Sequence, residues 1–183
     1  MILTKRHAVK PKDPTTPGCP PLANRPALHY HDGLAWQLPA VGEGAVEPFR
    51  ILEHTADVGF EALGATREEV FTNAARALFH LIVEPESLVP REATTVRVEG
   101  RDPPDLLVNW LSELLYLHDA EGWLFCEFEL RALQDTSLAA VVRGERIDRA
   151  RHQLKLLVKA ITYHQLALEQ TPQGWQARVY VDI

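Results

Sequence analysis

The chain has 183 residues, 46% of them hydrophobic, and a formal net charge of −6. That length fits one domain, or one domain with an appendage, and the apolar fraction is enough for a packed core. The acidic balance argues against a protein that grips nucleic acid by itself, because phosphate contact needs net or clustered positive charge. No apolar run approaches the ~20 residues of a membrane span, and the opening Met-Ile-Leu-Thr-Lys-Arg-His lacks the apolar core of a signal peptide. Two cysteines, Cys19 and Cys126, make no disulfide framework and no C-x-x-C pair. This points to a reducing cytoplasm and away from a zinc or iron–sulfur site.

Residues 1–48 hold eight of the thirteen prolines and no sustained period of 3.6 or 2. The composition predicts a Pro-rich, disordered extension there, ahead of a domain at 49–183. A translation start placed too early, with the true start near Val46, would leave the same trace. His29-Tyr30-His31-Asp32 carries metal-ligating residue types, but no ordering pattern surrounds it, so it is read as a coincidence of composition.

From Phe49 the pattern tightens. Phe49 to Glu53 and Val58 to Leu63 read as strands joined by the Thr55-Ala56-Asp57 turn. Thr66-Arg67-Glu68-Glu69 is a capping box, followed by apolar residues at helical spacing: Val70, Phe71, Ala74, Ala75, Leu78, Phe79 and Ile82. Pro85 stops that helix. Thr94 to Glu99 alternates as a strand. A second helix opens at Asp102, with Pro103 in the first helical position and Asp105 near the positive end of the dipole. Its predicted buried face is Leu106, Leu107, Trp110, Leu111, Leu114 and Leu115, and Gly122 ends it. Strands then follow over Trp123 to Ala132, Ser137 to Gly144, part of Lys155 to Leu168, and Trp175 to Val181. Thr171-Pro172-Gln173-Gly174 turns the last two into a hairpin. The order predicts an α+β fold, with two helices on one face of a mixed or mostly antiparallel sheet.

Nucleophilic catalysis gets little support. No Gly-x-Ser-x-Gly occurs, and Cys126 in Leu124-Phe125-Cys126-Glu127-Phe128 reads as a small core residue. Gly42-x-Gly44 precedes no helix closely and is not a phosphate loop. Two acids stand out. Asp57 lies in the turn between the first strands, and Asp182 with Ile183 closes a strand-like segment. If the first and last strands lie side by side, the Asp57 and Asp182 carboxylates and the terminal oxygens of Ile183 form a hard-oxygen set suited to Ca²⁺ or Mg²⁺. The ordinary reading of such acids is structural. Lys159, in Val158-Lys159-Ala160-Ile161-Thr162-Tyr163-His164-Gln165, is a further candidate; a strand lysine is usually just solvated.

Four segments together resemble the archease family: Leu52-Glu53-His54-Thr55-Ala56-Asp57-Val58-Gly59, Leu106 through Tyr116, Val158 through Gln165, and the Asp182-Ile183 end. They occur in the family's order and span about Phe49 to Ile183. The resemblance implies a two-layer α+β sandwich and a small cytoplasmic protein that is not itself an enzyme. It implies a protein cofactor of the RtcB-type, GTP-dependent RNA ligase of tRNA splicing and RNA repair, speeding ligase guanylylation and permitting multiple turnover. It also implies a divalent cation, Ca²⁺ with Mg²⁺ or Mn²⁺ as substitutes, held by Asp57, Asp182 and Ile183. Lys159 would then steady a phosphate or a ligase carboxylate during activation. Rival readings are a general chaperone or modulator of RNA-processing enzymes, and a metal-dependent hydrolase using Asp57 and Asp182.

Overall fold

The computed structural model describes residues 47–53 and 58–183, and its elements follow from local signals in the chain. Strands β1 (Phe49–Glu53) and β2 (Val58–Gly64) pair antiparallel, with Phe49 opposite Ala62. Helix α1 (Arg67–Ile82) starts on Thr66, whose hydroxyl accepts from the Glu69 amide at 3.2 Å. The Glu69 carboxylate accepts in turn from the Ala65 amide at 2.7 Å, one residue ahead of the cap. The Glu69 amide, a donor that helix geometry leaves without a partner, is thus satisfied, and the Glu69 carboxylate also holds the residue ahead of the cap. A 3-10 turn at Pro85–Ser87 leads to β3 (Glu92–Glu99).

Helix α2 (Pro103–Glu121) is capped by Asp102, whose carboxylate accepts from the Asp105 amide at 2.9 Å. Gly122 closes it in the left-handed region at φ +70°, where a residue without Cβ has no steric penalty. The remaining strands are β4 (Trp123–Leu133), β5 (Ser137–Arg146), β6 (Ala160–Ile161), β7 (Ala167–Thr171) and β8 (Gly174–Asp182).

The class is α+β, as the pattern predicts, but the strands divide between two antiparallel sheets. One is three-stranded, in the order β3-β5-β4. The other runs β1-β2-β8-β6, with β7 also on β8. The split follows from pairing: β4 and β5 form a hairpin that β3 joins, whereas β2 is claimed by β8, whose residues lie more than a hundred positions further along the chain, as Gly64 opposite Trp175 and Val58 opposite Val181 show. Helix α1 packs on β2 and β4 and so touches both sheets, while α2 packs mainly on β3 and reaches β6.

All six residues of the predicted α2 face are buried, as are Val70, Phe71, Ala74, Ala75, Leu78, Phe79 and Ile82 of α1. The indole N–H of the fully buried Trp110 donates to the Phe71 carbonyl at 3.1 Å, tying the two helices together. Truncating such a core ring to alanine typically costs about 3–5 kcal/mol. Among the described residues, no helix is long and apolar enough to cross a membrane.

The strand anticipated within Lys155 to Leu168 is the main departure. Only Ala160–Ile161 and Ala167–Thr171 pair, and both use the same edge of β8. Ala160 lies opposite Asp182 and Ile161 opposite Val181, whereas Ala167 lies opposite Arg178. Five residues, 162 to 166, therefore span the two β8 residues Val179 and Tyr180. They cannot stay in register and arch off the edge. Gln165, with φ +49°, marks the bend.

Candidate functional site at the end of the central strand

The last residues of β8 lie between the beginning of β2 on one side and β6 on the other. Val181 pairs with Val58 across one edge and with Ile161 across the other. Val179, Tyr180 and Val181 are buried, and Asp182 and Ile183 emerge into solvent. The Lys159 amide donates to the Asp182 carbonyl at 2.7 Å, and its ammonium donates to the Ile183 carbonyl at 3.0 Å. Lys159 is exposed, and its ammonium reaches along the strand end to the Ile183 oxygen.

Three of the four sequence-predicted site residues, Lys159, Asp182 and Ile183, thus meet at one exposed strand end. The fourth, Asp57, lies outside the described residues; Val58, its covalent neighbour, sits opposite Val181. Among the described residues no group of three or more His, Cys, Asp or Glu could hold a metal ion. Asp182 and Ile183 contribute hard oxygens, which suit Ca²⁺ or Mg²⁺, but by themselves they are a small part of the six to eight oxygens that Ca²⁺ takes.

The backbone around this end is held closely. A Cβ on Gly59 would sit 2.7 Å from the Val179 carbonyl oxygen and 2.8 Å from the Tyr180 ring. Only glycine lets β2 and the Tyr180 ring approach so closely. The His164 ring packs edge-on against the same Tyr180, with centroids 5.9 Å apart.

Sequence reasoning passed over a second cluster beside the arch. The Tyr163 hydroxyl donates to Asp105 Oδ1 at 2.5 Å. Asp105 also accepts from Arg101 Nη2 at 2.8 Å, from Arg101 Nε at 3.2 Å and from the Arg101 amide at 2.8 Å. Held first by the guanidinium and then by the phenol, the Asp105 carboxyl lies well below its ordinary range, and the Arg101 guanidinium is raised in turn. The carboxylate pushes the Tyr163 phenol up by retaining its proton. The Arg101–Asp105 spacing of four is a visible pairing signal. The partnership with Tyr163, 58 residues away, is not.

Cys126 is half-buried on β4, less enclosed than a core residue. Burial, with Glu127 and Glu145 adding, pushes its thiol up to about 12, which keeps it protonated and unreactive. Two cavities lie elsewhere on the described residues, and neither is lined by Lys159, Asp182 or Ile183. One, of about 340 Å³, is apolar and bounded by Phe49, Phe79, His80, Leu88, Phe125 and Phe128. The other, of about 940 Å³, is more polar and includes Arg50, Glu69, Asn73 and Glu129.

Among the described residues, two α-helices, two antiparallel sheets and a polar strand end define a small α+β protein of a recognisable kind. A profile of the archease protein family matches residues 49–183. The chain is 41% identical over 139 residues to protein archease of Methanosarcina mazei, covering 74% of this chain and 95% of that one. It is 42% identical over 135 residues to protein archease of Pyrococcus abyssi, covering 72% and 95%. The solution structure of protein 1598 of Methanobacterium thermoautotrophicum superposes with a TM-score of 0.64 at 34% identity, covering 74% of this chain and 99% of that one. The crystal structure of a Thermotoga maritima archease, described as a possible chaperone, matches in fold with a TM-score of 0.51 at 22% identity, covering 72% and 94%. The chain belongs to the archease family.

Proposed function

We propose that this archease is a non-enzymatic protein cofactor of an RtcB-type, GTP-dependent RNA ligase, promoting ligase guanylylation and multiple turnover in tRNA splicing and RNA repair. The observation that carries the reading is the convergence of Lys159, Asp182 and Ile183 on one exposed strand end, outside either cavity. A site presented on a surface suits action on a second protein better than enclosure of a small substrate.

The roles follow from the groups. The Lys159 ammonium, already donating to a backbone oxygen, can redirect a hydrogen bond to a phosphate or to a carboxylate of the ligase. Asp57, Asp182 and Ile183 would hold a divalent ion, Ca²⁺ or alternatively Mg²⁺ or Mn²⁺, which when bound supplies a fixed positive charge at the contact. The chain's net charge of −6 favours approach to a basic ligase mouth and disfavours competition for RNA phosphates. Positioning alone can lower a barrier by several kcal/mol, about 7 at the lower end of well-oriented cases.

The test is the rate of ligase–guanylate formation at saturating GTP, with and without the protein. Lys159→Ala and Asp57→Ala should each lower activation while leaving the circular dichroism melt unchanged. An exposed lysine contributes within about ±0.5 kcal/mol to folding. Calorimetry should show Ca²⁺ or Mn²⁺ binding to the unaltered protein and weaker binding to Asp57→Ala. Activation by Lys159→Ala and Asp57→Ala at the full rate would defeat the site assignment. A second reading, a general chaperone of RNA-processing enzymes, draws on the likeness to the Thermotoga archease described as a possible chaperone. Affinity capture separates the two: one dominant ligase partner supports the cofactor, and several unrelated clients support the chaperone.

A further inference from the structure

We infer that Tyr163 is a positioning residue for Lys159, acting through a clamp made of Asp105 and Arg101 at the start of α2; the inference rests on the reading of Lys159 as the activating group.

The argument starts from how little holds the Lys159 segment. Strand β6 has two residues, Ala160 and Ile161, and a strand that short has few ladder bonds of its own. Val158 and Ile161 are buried and anchor one side of the segment, but Lys159 and Ala160 between them face solvent. Directly after β6 the chain must leave the β8 edge, because 162 to 166 span only two partner residues. The Thr162 amide and hydroxyl both reach the Tyr180 carbonyl, each at 3.0 Å, and that is the last β8 bond before the arch. An arch of this kind is where a short edge strand frays.

Tyr163 is placed at that point. It is 54% exposed, yet its hydroxyl donates at 2.5 Å to Asp105, which is only 6% exposed. The acceptor is rigid. Three bonds from Arg101 fix the Asp105 carboxylate, and its own amide is bound to the Asp102 cap of α2. The phenol therefore pins the first residue beyond that last β8 bond to the start of a 19-residue helix. Solvation by itself would not bring a half-exposed tyrosine onto a nearly buried carboxylate. What the bond secures is the stretch just upstream, whose lysine amide and ammonium both engage the end of β8. A charge-assisted hydrogen bond of this kind is among the stronger ones available to a surface loop.

The test uses Tyr163→Phe in the full chain, which keeps the ring and deletes the hydroxyl. Native-state hydrogen exchange at the Lys159 and Thr162 amides should speed up by about three- to tenfold, with the β3–β5 ladder unchanged. The maximal guanylylation rate should fall toward that of Lys159→Ala, and the global melt should stay in place. Unchanged exchange at Lys159 and Thr162 overturns the clamp. Faster exchange with full activation, while Lys159→Ala is impaired, overturns the positioning role. Full activation by Lys159→Ala instead defeats the reading of Lys159 itself, and this inference with it. Arg101→Gln provides an independent arm: it should weaken the same two amides, and protection equal to that of the unaltered protein counts against the clamp.

Discussion

At the residue scale, Asp105 shows how one side chain can be read two ways. As a member of the first turn of α2 it favours the helix dipole. In the folded protein it is also the acceptor for Arg101 and Tyr163. Those donors stabilise its charged form, so its folded pKa lies below the ordinary value of 3.8. A depressed carboxylate pKa contributes stability that is present above the unfolded value and is lost as pH falls through the folded one. Asp105→Asn should therefore lower the thermal midpoint near neutral pH, and the gap to the unaltered protein should narrow as pH drops below about 4. Melts followed by circular dichroism from neutral to acid pH check this. A gap that stays constant across that range would mean that packing, and not charge, sets the cost.

At the element scale, the central pairing is β1-β2-β8, and a row of charges runs across it. Arg50 lies opposite Glu61, and Glu61 lies opposite Arg178. The Glu61 side chain is nearly buried. It contacts Arg50 at 3.1 Å through one oxygen and Arg178 at 2.8 Å through the other. Cross-strand pairs of opposite charge add to sheet stability, and a buried partner makes the loss larger. Glu61→Ala should cost about 1–3 kcal/mol in urea unfolding, since it removes charge-assisted bonds to two arginines at once, although their half-exposed guanidinium groups can return to water. Replacing Glu129, which is more exposed and pairs with Arg131 and Arg143, should cost less than about 1 kcal/mol. Equal costs for the two substitutions would show that burial does not grade these pairs.

At the scale of the whole molecule, the archease match begins at residue 49, where β1 also begins. Just ahead of it, the Pro48 carbonyl accepts from the Leu63 amide at 2.9 Å. The sequence of residues 1–46 is Pro-rich and shows no sustained period of 3.6 or 2. Deleting them, with Glu47 and Pro48 kept, should move the thermal midpoint by no more than about 2 °C, the shift that under 1 kcal/mol produces at this size. Ligase activation should persist. A truncated protein that fails to fold, or that folds without activating, would make the extension part of the working molecule.

Much of this protein was legible in the sequence because its signals are local. The Thr66 and Asp102 caps, the Gly122 stop, the apolar faces of both helices and the Thr171–Gly174 turn depend on neighbours a few residues away. Lys159, Asp182 and Ile183 were nameable as candidates because motif residues and oxygen chemistry are properties of residue type. The division of the strands into two sheets was not legible, because it depends on β2 finding β8 across most of the chain. Nor was the shortness of β6. Its residues have strand-like character, but β8 offers one edge to both β6 and β7, and the excess chain between them must arch away. That arch brings Tyr163 to Asp105, a contact between residues 58 apart that no periodicity announces. Local hydrogen bonding and hydrophobic spacing determined the elements; competition for one strand edge, settled only in the folded molecule, decided the surroundings of Lys159.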